Sequence, residues 1–397
     1  MASSLFSDLL VIDCASYIAG PAAATILSDF GARVIKIEPP IYGDAYRNLV
    51  RMKDPTGSTP DYYWTMDGRN KESLAIDLKQ DAARAVLDKL IDRADVFITN
   101  YPFHVREKLG IDAETLTARN RQLIYASMTP YGEQGDERDR TAFDSTAWWA
   151  RSGLMAMVKD TEDTPYAPPM PGMGDHPTAV SMYAAIVTAL VRRERIGKGG
   201  VVSTSLLANG LWANSCQVQA ALCDVELVAR EPRYARSPLS DTYRCADGKE
   251  LLIVVNSNVT REWPRLAPAL GHPEWLDDPR FNTSASRLEN AALLAVMMEE
   301  IFASEPFAVW SERLTKAGVT FSFVARTSDH DTDPQIAANG LLPDFIDGGG
   351  LKTVDSPFVI AGEQKHAPRM APAVGQHTRA ILQELGLSAA EIAALES

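Results

Sequence analysis

The sequence predicts an α/β protein built on a mostly parallel β-sheet, followed by a smaller second domain. Three observations support this prediction. The 397 residues are enough for two or three domains at about 150 residues each. A composition of 46% hydrophobic and 23% charged residues is that of a globular protein. In the first half of the chain, strand-like and helix-like segments alternate, which is typical of a parallel sheet covered by helices on both faces.

The first half of the chain supplies the elements of that sheet. Short apolar runs predict buried strands, and apolar residues at helical spacing predict the helices between them. The first helix follows Gly20–Pro21 and ends at Gly31, because glycine suits a helix C-terminus. The predicted strands are 9–14, 33–37, 96–100, 122–128 and 201–207, and the predicted helices are 22–30, about 81–93 and 179–191. Residues 155–175, rich in Pro, Met and Gly, predict a long loop, and such loops are often functional.

The second half of the chain has a different pattern. Residues 240–256 predict a β-hairpin with Asp247–Gly248 at its turn. Helices are predicted over 261–270 and 287–314, and two short helices end the chain. These elements predict the smaller α+β domain.

The charge balance limits the partners that we expect. The net charge is −13, from 39 basic and 52 acidic side chains. This charge repels nucleic acid and anionic membranes, so neither is an expected partner, and a polyanionic ligand needs a local basic cluster. Lys71, Lys79, Arg106 and Lys108 lie near predicted strand ends and helix starts; taken singly, such residues are expected to be solvated surface charges.

The cysteines predict a cytoplasmic protein. Cys14, Cys216, Cys223 and Cys245 have neither the spacing of a metal site nor the density of a disulfide scaffold, so we expect reduced thiols. The N-terminal segment has no basic region or cleavage motif, and no targeting segment is expected. No run approaches the about 18 apolar residues of a membrane helix.

The common cofactor and hydrolase motifs are missing from the sequence. It contains no G-x-G-x-x-G, no P-loop and no G-x-S-x-G elbow, which weakens the dehydrogenase, nucleotide and hydrolase interpretations. The six histidines have no metal-ligand spacing, so no metal is expected.

The segment PGMGDHPTAV places Asp175 where a helix begins. Asp175 is either simply a helix cap, with Pro177 in the first turn, or also a carboxylate that a bulky electrophile can approach, because Gly172 and Gly174 leave the backbone beside it bare. By position alone, the neighbouring His176 is expected to be structural. Asp144 is equally consistent with a helix cap and a site carboxylate, whereas Trp148 and Trp149 are expected in the core.

Several segments together resemble the class III CoA-transferases, the group of formyl-CoA transferase, carnitine CoA-transferase and α-methylacyl-CoA racemase. They run in family order over nearly the whole chain: IAGPAAATILSDFGARVIKIEPPIYGD, DGRNKESLAIDLK, ADVFITNYP, RQLIYASMTPYGEQG, RTAFDSTAWWARSGLM, GDHPTAVSMYAAIVTALVRRERIGKGGVV, TYRCADGKELLI and APRMAPAVGQHTRAILQELGLS.

The resemblance implies a Rossmann-like large domain, a small α+β domain and an interlocked homodimer. The large domain would comprise 1–205, followed by a linker over 206–235 and the small domain over 236–328. Residues 329–397 would form a second linker and return to the large domain.

The resemblance also implies the roles of individual residues. Asp175, rather than Asp144, would be the nucleophile, because it is the aspartate of the family's G-D motif. The implied CoA-binding residues are Tyr17, Ile18, Ile76, Lys79, Asn100, Tyr101 and Lys108, and the expected substrate pocket includes Tyr63, Phe143, Asp144, Gly172 and Gly174.

The expected reaction moves CoA from an acyl-CoA thioester to a carboxylic acid. Asp175, expected to be ionised at its ordinary pKa of about 3.9, would pass through a mixed anhydride and an aspartyl-CoA thioester. Backbone N–H groups near Gly172–Gly174 would stabilise the oxyanions, and the loop before Asp175 would help close the site. One alternative is a 2-methylacyl-CoA racemase, which in this family pairs the aspartate with a histidine where this chain has Phe143. Another is a CoA-binding protein without catalysis.

Overall fold

The computed structural model describes residues 4–54, 56–159, 163–225, 234, 236–255 and 259–396. The described chain divides into two compact units. The large unit draws its described residues from Met1–Val158, Tyr166–Glu226 and Gln335–Ser397, and the small unit from Lys159–Pro165 and Leu227–Pro334.

The elements are numbered in chain order. The strands are β1 Leu10–Cys14, β2 Arg33–Glu38, β3 Glu72–Ala75, β4 Val96–Thr99, β5 Ile124–Thr129, β6 Gly200–Ser205, β7 Ser240–Arg244, β8 Glu250–Val254 and β9 Phe321–Phe323. The helices are α1 Ala19–Asp29, α2 Leu49–Lys53, α3 Tyr62–Asp67, α4 Asp81–Ile91, α5 Phe103–Leu109, α6 Ala113–Arg119, α7 Leu154–Met157, α8 Asp175–Ile196, α9 Leu206–Ala213, α10 Ser215–Leu222, α11 Val259–Ala269, α12 Ser284–Glu289, α13 Ala291–Ala303, α14 Phe307–Ala317, α15 Pro334–Ala338, α16 Thr378–Glu384 and α17 Ala389–Glu396.

The large unit contains a parallel sheet in the order β3-β2-β1-β4-β5-β6. This is the strand order of a Rossmann-type fold, so the predicted α/β class is confirmed. The order reverses between β1 and β4, where Cys14 lies beside Thr99. Loops that follow these two strands leave in opposite directions, and ligands of such folds bind in the crevice between them.

Helices cover both faces of this sheet because its strands are apolar on both sides. Val11 packs into one core with residues of α1 and α8, and the next residue, Ile12, packs into a second core with residues of α4 and α16. Alternate strand residues point to opposite faces, which explains the two cores. At the edge, the backbone N–H of Ser73 in β3 donates to Nδ1 of His377 at 3.1 Å, so the C-terminal segment covers the edge strand.

The small unit contains an antiparallel sheet in the order β7-β8-β9. Its core joins Tyr243, Leu251 and Ile253 from the strands to side chains of the surrounding helices, including Trp263 and Trp310. The strands β7 and β8 form the hairpin that the sequence predicts.

Several elements differ from the sequence predictions. Strand β3 was not predicted, because its buried positions include the polar Ser73, whose hydroxyl donates to Oε1 of Glu38. The helix predicted over 287–314 is divided into α12, α13 and α14, with breaks at Asn290 and before Pro306. In the segment predicted as a linker, 206–222 forms α9 and α10, and 226–233 and 235 lie outside the described residues.

The long helix α8 begins where the segment PGMGDHPTAV predicts a helix start, four residues before the apolar run over 179–191. Its first residue is Asp175, with Gly174 as the N-cap residue. Pro177 is accommodated because the N–H groups of the first turn have no partner within the helix. Among the helices that the structure describes, none is long and apolar enough to cross a membrane.

Candidate active site

A cleft of about 490 Å³ lies where the order of the parallel strands reverses. It is lined by Ser16, Tyr17, Ala19, Asn100, Tyr101, Pro102, Phe103, Met128, Thr129, Pro130, Arg138, Asp139, Arg140, Thr141, Ala142, Phe143, Thr146, Asp175 and Leu206. Its floor therefore combines the loops after β1, β4 and β5 with the first residue of α8.

The loop after β1 is held in an uncommon backbone conformation. Tyr17 has a φ of 64°, a left-handed conformation that non-glycine residues adopt only when the surroundings hold them there. Oδ1 of Asp44 accepts from the hydroxyl of Ser16 at 2.8 Å and from the backbone N–H of Tyr17 at 3.1 Å. Asn100 accepts from the N–H of Ser16 at 2.9 Å and donates to its carbonyl at 2.8 Å, which ties the two loops together.

Two buried lysines and two buried aspartates lie beneath this loop. Nζ of Lys36 lies 2.8 Å from Asp44 and 3.6 Å from Asp13, and Nζ of Lys71 lies 2.9 Å from Asp13. Burial opposes ionisation of Asp44, but the Lys36 ammonium holds the pKa of Asp44 below its ordinary value. Burial lowers the pKa of Lys71. The expectation that Lys71 is a solvated surface charge is wrong, because its charge is paired inside the fold.

Arg106 is also buried rather than solvated. Its guanidinium donates to the carbonyl oxygens of Tyr101 and Met128 and, at 2.7 Å, to the hydroxyl of Ser127. Arg106 therefore fixes the loop that brings Tyr101 to the cleft. The position of Lys71 and Arg106 near predicted strand ends was visible in the sequence. The sequence alone does not show which oxygen atoms pair with these two side chains in the fold.

Asp175 is half-buried at the N-terminus of the 22-residue helix α8. Burial raises the pKa of Asp175 to about 7, and the negative charges of Asp144 and Asp67 act in the same direction, against the charge of His176. The expectation that Asp175 titrates at the ordinary pKa is therefore wrong. At neutral pH it exchanges between a carboxylic acid and a carboxylate.

Asp144 and Gly174 are paired with each other. The backbone N–H of Gly174 donates to Oδ2 of Asp144 at 3.1 Å, and Asp144 makes no side-chain cap to the π-helical turn Ser145–Ala150 that follows it. Because the N–H of Gly174 already donates to Asp144, it is not free to stabilise an oxyanion as the sequence analysis expected. A Cβ on Gly174 would lie 2.5 Å from Cγ of Trp148, so this glycine allows close packing against a buried tryptophan.

Some of the expected site residues meet in the cleft and others do not. Tyr17, Asn100, Tyr101, Phe143 and Asp175 line it, and the rings of Tyr17 and Phe143 meet edge to face with centroids 5.5 Å apart.

The remaining expected residues lie outside this lining. Ile18 and Ile76 are buried in the two cores of the large unit, whereas Lys79 and Lys108 are exposed. The ring of Tyr63 packs at a tilt against the rings of Tyr46 and Tyr62, and Gly172 contacts His176.

The basic groups that line the cleft are ones that sequence reasoning missed. Arg138 lies over the ring of Phe103 at 4.2 Å, and Arg140 pairs with Glu137. The sequence feature that could have indicated Arg138 and Arg140 is the charged run that precedes Phe143. Among the described residues, no group of His, Cys, Asp or Glu side chains has the arrangement of a metal site.

Comparison with known proteins assigns the family. The model of a family described as CoA-transferase family III matches residues 6–378, nearly the whole chain. The chain belongs to CoA-transferase family III.

Relatives of this family III chain cover it almost completely. It is 30% identical to (R)-2-hydroxy-4-methylpentanoate CoA-transferase of Clostridioides difficile, over 96% of each chain. It is also 30% identical to acetyl-CoA:oxalate CoA-transferase of Acetobacter aceti, over 96% of this chain and 95% of that one. A crystal structure of a CAIB/BAIF family protein from Brucella suis is 27% identical, with a TM-score of 0.84 over 97% of this chain and 100% of that chain. The expected family and enzyme class are thus confirmed.

Proposed function

We propose that this chain transfers coenzyme A from an acyl-CoA thioester to a carboxylic acid through covalent intermediates on Asp175. The observation that carries the proposal is the position of Asp175. It is a half-buried carboxylate at a helix N-terminus, and it lines the cleft at the strand reversal. Family III membership and the names of the relatives support CoA transfer.

The reaction balances without a net proton or redox change. An Asp175 oxygen attacks the thioester carbonyl, and the C–S bond breaks to give a mixed anhydride and the CoA thiolate. The thiolate attacks the aspartyl carbonyl, and the C–O bond breaks to release the donor acid and leave an aspartyl-CoA thioester. The acceptor carboxylate then attacks this thioester and expels the thiolate. This attack leaves a second mixed anhydride between Asp175 and the acceptor. In the last step the thiolate attacks the acceptor's carbonyl and the C–O bond to Asp175 breaks, which releases the acceptor's CoA thioester and regenerates the Asp175 carboxylate.

The surroundings of Asp175 suit these steps. A carboxylate whose pKa is about 7 is a stronger nucleophile than an ordinary aspartate once it is ionised. The N-terminus of α8 carries the positive end of the helix dipole, which favours negative charge at Asp175. Apolar side chains in the cleft, among them Pro102, Met128 and Leu206, limit the water that hydrolyses acyl intermediates.

The CoA-binding residues follow from the same proposal. Tyr17, Asn100 and Tyr101 line the cleft and would bind the coenzyme, and Arg138 and Arg140 would supply positive charge for its phosphates. Ile18 and Ile76 would act through the backbone of their loops, and Lys79 and Lys108 from the exposed surface. Phe143 would contact the acyl group, with Tyr63, Asp144, Gly172 and Gly174 supporting the pocket.

We also propose the interlocked homodimer and a cytoplasmic location. Exposed apolar side chains on α9 and α10, including Trp212 at 79% and Leu222 at 73%, support a second copy covering this surface. The four free cysteines are consistent with a reducing compartment. Sedimentation equilibrium tests the dimer: the expected mass is twice 43.3 kDa, and a mass of one chain would contradict it.

Racemisation is not favoured as an alternative. It needs a second proton-transferring group that faces the substrate in the same cleft. Phe143 stands where the similar racemases carry a histidine, and His176 does not line the cleft. Incubation with a 2-methylacyl-CoA in D₂O is expected to leave the α-carbon free of deuterium.

An exchange assay tests the proposed function directly. The protein is incubated with a panel of acyl-CoA donors and isotopically labelled carboxylic acids, and labelled acyl-CoA is measured. Transfer from at least one donor is expected. Stoichiometric CoA binding without transfer across the panel would instead support the CoA-binding protein without catalysis.

The pH dependence of transfer follows from the pKa of Asp175. The attacking form is the carboxylate, so the rate is expected to rise with pH and to reach half its plateau near pH 7. In Asp144→Asn, the amide oxygen can still accept from Gly174 while a negative charge is lost, so the midpoint is expected to move to lower pH. A midpoint near pH 4 in the unmodified protein would contradict the raised pKa.

A further inference from the structure

Both ring nitrogens of His176 face hydrogen-bond acceptors. Nε2 lies 3.2 Å from Oδ1 of Asp67, and Nδ1 lies 3.1 Å from the carbonyl oxygen of Gly172. A carbonyl oxygen and an ionised carboxylate can only accept hydrogen bonds, and a neutral imidazole has only one N–H to donate. The doubly protonated imidazolium donates to both, so the geometry selects the charged ring.

The surroundings of Asp67 support the same protonation state. Asp67 is 2% exposed, and its Oδ2 accepts from the hydroxyl of Tyr46 at 3.0 Å. Burial and the charge of Asp67 raise the pKa of Tyr46 far above its ordinary value, so the phenol keeps its proton and donates. The second oxygen of Asp67 is thus left for the His176 ring. Burial by itself lowers the pKa of His176, but the hydrogen bond and charge of Asp67 raise it above the ordinary value.

The same ring organises the turn before Asp175. The carbonyl of Gly172 accepts from Nδ1 of His176 and also from its backbone N–H at 3.1 Å. Gly172 has a φ of 78°, and a Cβ there would lie 3.0 Å from the ring. The turn from Gly172 to His176 is therefore folded around the imidazole, which connects it to Asp67 at the end of α3.

We propose that His176 is a positioning residue for Asp175. Its imidazolium fixes the turn that carries the nucleophile, and its positive charge favours the ionised carboxylate there. This proposal rests on the proposed function of Asp175.

The other charged groups around this turn do not supply that positive charge. Asp144 and Asp67 are negative and disfavour ionisation of Asp175. His176 lines a second cavity, not the cleft of Asp175, and this cavity also contains Arg69 and Asp355. Arg69 is paired with Asp29 at 2.7 Å, and Asp355 with Lys365 at 2.7 Å. The charge of the imidazolium therefore opposes the two carboxylates, in the same direction as the dipole of α8.

The substitution His176→Gln separates positioning from substrate binding. Glutamine can donate to Asp67 but carries no charge. The acidic limb of the pH profile for kcat is expected to move up by about one pH unit, which near pH 7 lowers kcat by up to about tenfold. The KM for acyl-CoA is expected to stay within about twofold, because His176 does not line the cleft. The control His272→Gln, which removes a histidine paired with Glu274 at 2.7 Å in the small unit, is expected to leave the profile unchanged.

Nuclear magnetic resonance tests the same inference without any activity. The chain has six histidines, and the ¹⁵N signals of His176 are those that disappear in His176→Gln. Both ring nitrogens are expected to be protonated at pH 7, and the ¹³C-carboxyl midpoint of Asp175 is expected to rise in His176→Gln. A neutral ring at pH 7, or an unchanged Asp175 midpoint, would overturn the inference. Absent transfer with the expected titrations would instead refute only the proposed function.

Discussion

Replacing Asp175 with asparagine is expected to abolish CoA transfer, with kcat/KM reduced by at least about 10³-fold, the scale of losing a catalytic nucleophile. The amide has nearly the volume of the carboxylic acid but offers no oxygen anion to attack a thioester. Because burial raises the pKa of Asp175 to about 7, its side chain is already the uncharged acid for much of the time at neutral pH, and the uncharged amide can take the place of that form. We therefore expect the fold to remain intact. Steady-state kinetics with the donor identified in the exchange assay measures the effect.

The control for this substitution is Asp81→Asn. Asp81 is the first residue of α4, as Asp175 is the first residue of α8, but Asp81 is exposed and does not line the cleft. Its replacement is expected to change kcat/KM by less than about twofold, as is usual for exposed positions. If Asp175→Asn kept more than about a tenth of the transfer rate, a nucleophile at Asp175 would be excluded.

Replacing Lys36 with methionine is expected to lower the free energy of unfolding by about 3–5 kcal/mol, because it leaves the buried carboxylate of Asp44 without its cation, whereas Asp13 keeps Lys71. Lys36 is fully buried and pairs with Asp13 and Asp44, and it also donates to the carbonyl of Ala15. Urea unfolding at neutral pH measures the loss. The KM for acyl-CoA is expected to rise as well, because Asp44 holds the loop of Tyr17 at the cleft.

The pH dependence of this loss has a definite sign. Asp44 has a lowered pKa in the folded state, so its contribution to stability is present above the ordinary aspartate pKa and disappears as the pH falls through the lowered one. The difference between the two proteins should therefore be largest at neutral pH and shrink below about pH 4. The exposed Lys198→Met is the control, with an expected change within about 0.5 kcal/mol. Equal loss in both variants would show that the buried pairs do not stabilise the fold.

Most of the parallel sheet could be predicted from the sequence, because most of its strands are short apolar runs that alternate with helices along the chain. Strands β1, β2, β4 and β5 carry this pattern, whereas β3 buries the polar Ser73 and was not predicted. The pattern fails where a polar side chain is buried against a partner that is distant in the chain.

In the candidate site, too, some features could be predicted from the sequence and others depend on contacts between distant residues. Asp175, Tyr17 and Asn100 were predicted and share the cleft. The buried Lys71 was expected on the surface, because its partner Asp13 lies 58 positions away in the sequence. The raised pKa of Asp175 likewise depends on Asp144 and on burial, which are properties of the folded chain. Charge environments of this kind arise from tertiary contacts and have no local sequence pattern.

The most direct test of the account is to trap the acylated enzyme. The protein is mixed with a competent acyl-CoA donor without acceptor, quenched with hydroxylamine or borohydride, digested and analysed by mass spectrometry. The account predicts a hydroxamate or a reduced side chain at Asp175 and an unmodified peptide in Asp175→Asn. A competent donor that leaves Asp175 unmodified while transfer proceeds, or modification at another residue instead, would contradict it.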